Sequence, residues 1–401
     1  MAMQGEHQMR GGDQLGLRAY NKRMILNLIR QHGALPKAEI ARLTGLSAQA
    51  VSVIVNALLK EKLVRKGNKV RGKVGQPHTP IALNANGALS GGVKIGRRSL
   101  ELMLVNFHGE AIEYERFAYA APRQSEVATL LRRELPAFLA RLDPALRERL
   151  IGLGVAMPGQ IFAWTDVMGL DPAELVDWNE VDISSLISEI ARLPVETYND
   201  ATAACAGEMV LGSALTFANA LYVYVGTFIG GGVVINGQLF EGPRRNAGAI
   251  GSMPVTGKDG SEQLIRHASL YSLENRLRGK GIGDLGMIAE RARDPSAAKA
   301  YAEWRRTAAP AIAQAVTAAV SVIDFEGVVI DANLYPPQLE ALVHDVQEAL
   351  RHQDLTGISP FALRQGSIGP RARVSGAAIL PLIREFSPDQ YLLVKRVASA
   401  A

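Results

Sequence analysis

Apolar residues recur at helical spacing three times in the first sixty positions, and each run closes on a turn signal. Asn21–Gln31 places Ile25, Leu28 and Ile29 on one face and stops at Gly33, which suits a helix C-terminus. Lys37–Leu43 follows Pro36, turns Ile40 and Leu43 inward and ends in the turn Thr44-Gly45-Leu46. Ser47 is placed to cap a third helix running to Lys60, in which Val51, Ile54, Val55 and Leu58 form an i, i+3, i+4, i+7 stripe. The opposite face carries Gln49, Ser52, Val53, Asn56 and Lys60. A third helix with an amide-bearing outer face predicts a helix-turn-helix that enters a major groove. Gln49 and Asn56 can offer paired amide groups to an adenine edge, and Val53 can meet a thymine methyl. Ser52 suits a base or a phosphate, and Ser47 belongs to the same interface.

Beyond residue 80 the pattern changes to strands alternating with helices. Gly91–Ile95 and Ser99–Asn106 read as strands, with a turn at His108-Gly109. Ser125–Leu142 is helical by period, and Ile151–Ala156 is a strand ending at Met157-Pro158-Gly159. Ile183–Ala191 is helical, and the strand Val195–Tyr198 runs into Asn199-Asp200 and an Ala-rich helix to Leu211. A second series opens with Ala220–Val225, crosses the glycine-rich Gly226–Gly232 and returns as Val233–Ile235 before the hairpin signal Asn236-Gly237. Helices dominate Glu262–Val322, Gly327–Ile330 is a late strand, and Ser375–Arg384 closes the fold. The predicted class is α/β: a winged helix-turn-helix followed by two lobes with a cleft between them. The expected divisions are a tail at 1–17, the DNA-binding domain at 18–83, a first lobe at 84–212 and a second at 213–374. A C-terminal helix within 375–395 is expected to return to the first lobe.

Charge sharpens the DNA assignment. Residues 1–75 hold fourteen Lys/Arg against four Asp/Glu, whereas the whole chain is only +5, so the basic excess sits where phosphates would be met. Lys62, Arg65, Lys66, Lys69, Arg71 and Lys73 crowd the stretch after the third helix, the place of a β-wing. Arg71 and Lys73 are expected to hold DNA phosphates, with Gln76 beside them. The chain is 48% hydrophobic, enough for a large core, yet no apolar run reaches the length of a membrane span. Met1–Gln14 has no apolar signal core, and the single Cys205 excludes an internal disulfide and a multi-cysteine metal site. A cytoplasmic protein with no membrane partner is expected.

In this order and spacing the chain resembles the ROK family, whose name joins repressors, open reading frames and sugar kinases. Gly75-Gln76-Pro77, Gly152–Gly159, Trp178–Ile183, Tyr198–Ala201, Gly226–Gly232 and Ala247–Ser252 carry the resemblance, which spans roughly 18–385. It implies a sugar-kinase, actin-like body and a double-stranded DNA operator as partner. A homodimer is expected because one recognition helix reads only a half-site. It also implies a small sugar-like effector held by Asn199 and Asp200. Pro158 and Gly159, ending another strand, are expected at the same crevice, and Arg97, a departure from the family, is expected to add positive charge. Asp200 stands at the position of the kinases' general base, a role a carboxylate suits. Asn199 is equally suited to capping the helix that follows it.

The departures from the family matter as much. Where its kinases hold phosphate and metal on an Asp-Gly-Gly-Thr-type loop, this chain has Lys94-Ile95-Gly96-Arg97-Arg98-Ser99. The glycine cluster near the adenosine is replaced by Asp331-Ala332-Asn333-Leu334. Ser252 stands for the zinc-binding histidine, Gly257–Ile265 holds no cysteine, and two carboxylates of the sugar site fall at Ala249 and Ile265. The reading is therefore a regulator, a repressor of a carbohydrate-related operon, with no catalytic residue, cofactor or metal. Two alternatives stand beside it: an ATP-dependent sugar kinase with an appended DNA-binding domain, and a constitutive DNA-binding protein whose body only dimerises.

Overall fold

The computed structural model describes residues 14–68, 79–158, 178, 181–257, 260–279 and 295–388. It opens with helices α1 (Gln14–His32), α2 (Lys37–Thr44) and α3 (Ala48–Lys60). α1 starts seven residues before the apolar period does. Its first turns bury nothing that would signal a helix, Leu17 being 51% exposed. Gly45 ends α2 at φ +70°, donating its N–H to Ala41, and the Ser47 hydroxyl accepts from Ala50 N–H to start α3. The stripe Val51, Ile54, Val55 and Leu58 is buried as the period predicts. Leu43 is not: α2 is two turns long, and only Ile40 reaches the core. Strands β1 (Val64–Lys66) and β2 (Ile81–Leu83) pair antiparallel at the base of the wing. Lys69, Arg71, Lys73 and Gln76 lie outside the described residues.

The first lobe is built on β3 (Leu89–Ile95), β4 (Ser99–Val105), β5 (Ala111–Ala118), β6 (Leu150–Met157) and β7 (Val195–Asn199) in the order β5-β4-β3-β6-β7. β3, β4 and β5 are antiparallel, and β6 and β7 add in parallel. The second lobe repeats this arrangement with β8 (Ala220–Val225), β9 (Ile229–Ile235), β10 (Gln238–Phe240), β13 (Gly327–Ala332) and β14 (Ala362–Gln365), ordered β10-β9-β8-β13-β14. Again three strands are antiparallel and two parallel. Asn236 and Gly237 both take positive φ in the β9–β10 turn, as a two-residue hairpin demands. β11 (Pro254–Gly257) and β12 (Gly260–Gln263) form a separate hairpin.

Helices α4 (Gln124–Leu139), α5 (Pro144–Arg147) and α6 (Ile183–Ala191) belong to the first lobe's segment, and α4 and α6 pack together. The second lobe carries α8 (Leu264–Ala268), α9 (Leu270–Gly279), α10 (Pro295–Val322) and α11 (Pro336–Leu350). Two further helices, α7 (Asp200–Leu211) and α12 (Ala372–Phe386), cross closely, and α12 also lies on β3 and β6. The closeness depends on missing side chains: a Cβ at Gly376 would lie 1.6 Å from the Ala203 carbonyl oxygen, and one at Gly154 2.2 Å from that of Ala377. Among the described residues no single helix is long and apolar enough to cross a membrane.

The helix-turn-helix does not hang on a tether. Its core of Ile25, Leu26, Ile29, Val55 and Leu58 continues without a break into Met103, Val105 and Phe107 and into Ile379, Leu382 and Phe386 of α12. Phe107 meets Phe386 edge-on, with ring centroids 4.8 Å apart, and Arg30 lies over the Phe107 ring at 5.4 Å. Burial there lowers the Arg30 guanidinium to about 10. Outside the core, Arg149 donates to the Glu61 carbonyl at 3.2 Å, and Glu61 pairs with Lys22 at 2.5 Å.

Candidate functional site: recognition helix and inter-lobe cleft

The outer face of α3 presents Ser47, Gln49, Val53 and Asn56 exposed, with Ser52 half-buried. Val53 is 51% exposed, an apolar side chain left uncovered on an otherwise polar face. Lys37 at the start of α2 reaches this face, its ammonium 3.1 Å from both Ser52 Oγ and Asn56 Oδ1. Sequence periodicity gave no sign of this contact, because it joins two helices across a turn.

In the body, Pro158, Asn199 and Asp200 line one cleft between the lobes, as the strand ends suggested. Gly159 lies outside the described residues. Ala249, Ser252 and Ile265, the positions where polar or metal-binding groups of the family are missing, line the same cleft with Phe228, Ile229 and Asn246. The cleft is small, about 100 Å³, against the several hundred usual for a ligand pocket. The Asn199 carboxamide accepts from Ala201 N–H at 3.0 Å, so it caps α7 as well as facing the cleft.

Asp200 does not stand open to a ligand on all sides. Arg373, near the start of α12, places Nη1 3.2 Å from its Oδ2 and its guanidinium 5.2 Å from the centre of the Tyr224 ring. Sequence reasoning missed Arg373. The signal was an arginine heading a run of small and apolar residues, Val374 to Leu380, that was otherwise plainly a core helix.

Cations at the end of β3 and on the β3–β4 turn contact buried carboxylates. Lys94, 5% exposed, donates to Glu101 at 2.7 Å and to Ser99 Oγ at 3.3 Å. Burial, followed by the neighbouring Arg373, pushes the lysine down to about 8. Against the upward pull of its own burial, Lys94 holds Glu101 below the usual carboxylate range. Arg97, expected at the effector, lies against α9 of the second lobe. Its Nη1 lies 3.2 Å from Glu274 Oε2, its guanidinium stacks over Tyr271 at 5.0 Å, and it is not among the cleft-lining residues. Arg98 and Arg278 bond the same carboxylate. Glu274, 3% exposed on α9, draws in the three arginines because a buried carboxylate needs cations. These contacts join the β3–β4 turn of one lobe to α9 of the other.

At the place of the missing adenosine-side glycines, Asp331 is fully buried and accepts from Tyr222 Oη at 2.9 Å and from Gly369 N–H at 3.0 Å. Glu208, also fully buried, gathers the N–H groups of Ser367 and Ile368 nearby. Burial, with Glu208 adding to it, pushes Asp331 up to about 6 from 3.8. A raised folded-state value means that this group's stabilisation is complete below about pH 4 and is lost as pH rises through 6. The parent is therefore expected to lose about 2 kcal/mol at this site between pH 4 and pH 7.5. Asp331→Asn should remove that slope, read as the difference between the two proteins' urea midpoints across the range. Parallel pH profiles would show that Asp331 stays charged throughout.

Among the described residues no group of three or more His, Cys, Asp or Glu side chains gathers as a metal site. His267 Nε2 lies 2.9 Å from Glu262, on the β12–α8 segment where the family's zinc loop falls.

With this geometry in place, comparison with known proteins is direct. The model of the ROK family matches residues 90–382, and a model of winged helix-turn-helix DNA-binding domains matches 18–65. The xylose repressor of Bacillus subtilis is 27% identical over 243 residues, a stretch covering 61% of this chain and 62% of that one. The chain thus spans about three-fifths of that relative's length. A crystal structure of a ROK family transcriptional regulator, described as a homologue of the E. coli MLC protein, superposes with TM-score 0.68 at 17% identity. It covers 92% of this chain and 97% of its own. A ROK family glucokinase from Streptomyces griseus, solved with glucose and AMPPNP, superposes with TM-score 0.58 at 20% identity, covering 73% and 99%. The body fold is therefore shared by regulators and kinases, and fold alone does not choose between them.

Proposed function

Because the chain belongs to the ROK family and carries a winged helix-turn-helix ahead of the family's body, we propose that it is a sugar-responsive transcriptional repressor that binds its operator as a homodimer. The observation that carries this reading is the β3–β4 turn. Arg97 and Arg98 occupy it and share one buried carboxylate, Glu274, while Lys94 at the end of β3 pairs with Glu101. A metal–nucleotide complex needs a carboxylate for the metal and bare backbone N–H groups for phosphate. Two arginines paired with Glu274 fill this turn instead, which supports a body that binds without transferring phosphate. The relative named xylose repressor makes a pentose the first effector to test.

The mechanism is linkage. A ligand shifts a two-state equilibrium only through different affinities for the two states. The cleft of about 100 Å³ is smaller than a usual ligand pocket, and parting of the lobes would enlarge it. The inter-lobe Arg97–Glu274 and Arg98–Glu274 pairs oppose that parting. Since α12 bridges the body core and the helix-turn-helix core, lobe movement reaches the DNA-binding helices directly.

The test is to recover the operator from bound genomic fragments and titrate xylose, other aldoses and sugar phosphates into the complex. One sugar is expected to weaken operator binding roughly 5- to 150-fold, the usual range of such coupling. Asp200→Asn keeps a bond for Arg373 but removes the carboxylate. It is expected to lose this response while ligand-free operator affinity stays at the parental value. ATP-dependent phosphorylation of any of these sugars would establish the kinase instead. Operator binding that no sugar alters would leave a constitutive binder.

A further inference from the structure

We propose that Lys37 is a reading residue of the DNA interface, and that it sets the recognition helix to select guanine rather than adenine. The inference rests on the reading above that α3 enters a major groove. Lys37 Nζ lies 3.1 Å from Ser52 Oγ and 3.1 Å from Asn56 Oδ1, one helical turn apart on the outer face of α3. An ammonium only donates, so the Asn56 carbonyl faces the lysine and its NH₂ group turns away. Ser52, accepting from Lys37, keeps its own O–H to donate.

The three side chains together therefore offer donors to whatever approaches: an ammonium N–H, an amide NH₂ and a hydroxyl. In the major groove guanine shows two acceptors, N7 and O6, whereas adenine shows an acceptor beside a donor. Asparagine alone pairs with adenine by using both halves of its amide. Asparagine with its carbonyl turned to Lys37 suits guanine, and the lysine's remaining N–H adds a second bond to the same edge.

The placement of Lys37 has no other evident use. A cation at the first turn of a helix opposes the helix dipole. The acid in that turn, Glu39, is engaged by Arg42 at 3.0 Å and 2.5 Å instead. The partners of the lysine among the described residues are two neutral oxygens, so its charge is left for the DNA.

The experiment is selection from a randomised duplex library by the full chain, followed by sequencing, for the parent, Lys37→Ala, Lys37→Gln and Asn56→Ala. The parent is expected to choose guanine at one position in each half-site by at least about tenfold. Lys37→Ala should move that position towards adenine and leave the others unchanged, because the freed carbonyl can accept from the adenine amino group. Lys37→Gln keeps a donor without the charge. It should show a weakened guanine preference, and it carries the comparison if the alanine variant does not fold. If Lys37→Ala instead binds every sequence more weakly by the same factor, with the salt slope lower by about one, Lys37 is a phosphate contact and the proposal is overturned. Selection unchanged in both lysine variants overturns it too. If Asn56→Ala also selects like the parent, it is the placement of α3 in the groove that has failed.

Discussion

Replacing Phe107 with alanine is expected to cost about 3–5 kcal/mol of unfolding free energy and to uncouple the DNA-binding helices from the body. The ring is fully buried at the turn after β4, where it touches Phe386 and supports Arg30 of α1. It thus stands where three segments distant in sequence meet: the recognition module, the first-lobe hairpin and the C-terminal helix. Alanine would leave a cavity there and strip the apolar cover from a guanidinium whose ordinary value is already depressed by burial. Calorimetry should show two transitions in the variant, the module melting first, where the shared core predicts one in the parent. Operator binding should survive but cease to respond to the effector. One transition close to the parental Tm, with the response intact, would mean that coupling runs by another route.

The second large effect is expected at Glu274. Glu274→Ala should lower stability by about 3 kcal/mol, because it removes the buried carboxylate that three arginines share. The arginines are Arg97 and Arg98 from one lobe and Arg278 from the same helix. The loss should be measurable as a lower urea midpoint. Since the cluster ties the lobes together, the variant should also bind the effector more tightly than the parent, the closed state having lost its latch. A loss below about 1 kcal/mol would show that water already screens these pairs.

Much of this protein was legible before any coordinates. The recognition helix was readable because its buried stripe and its capping serine are local: Ser47 bonds a residue three positions on, and Val51 to Leu58 repeat within two turns. The strands of both lobes were readable for the same reason, each being a short apolar run closed by glycine, proline or asparagine. The cleft residues Pro158, Asn199 and Asp200 were found because they end strands, and strand ends converge on the crevice in such folds. Lys94 and Ser252, where the family resemblance implies a carboxylate and a histidine, are departures of single letters.

What the sequence left undecided all concerns partners far apart in the chain. The two sheets have the same strand order, yet no sequence repeat announces it, because topology survives when side chains do not. Nothing local in the sequence shows that Arg97 pairs with Glu274, a carboxylate 177 residues away. Asp200 looked open until Arg373, 173 residues on, came beside it where α12 crosses α7. Periodicity and capping report forces between neighbours, and they determine which segments become helices and strands. Which charge meets which is decided by the packing of whole elements. In this protein that packing turns on glycines that let α12 lie against β3, β6 and α7.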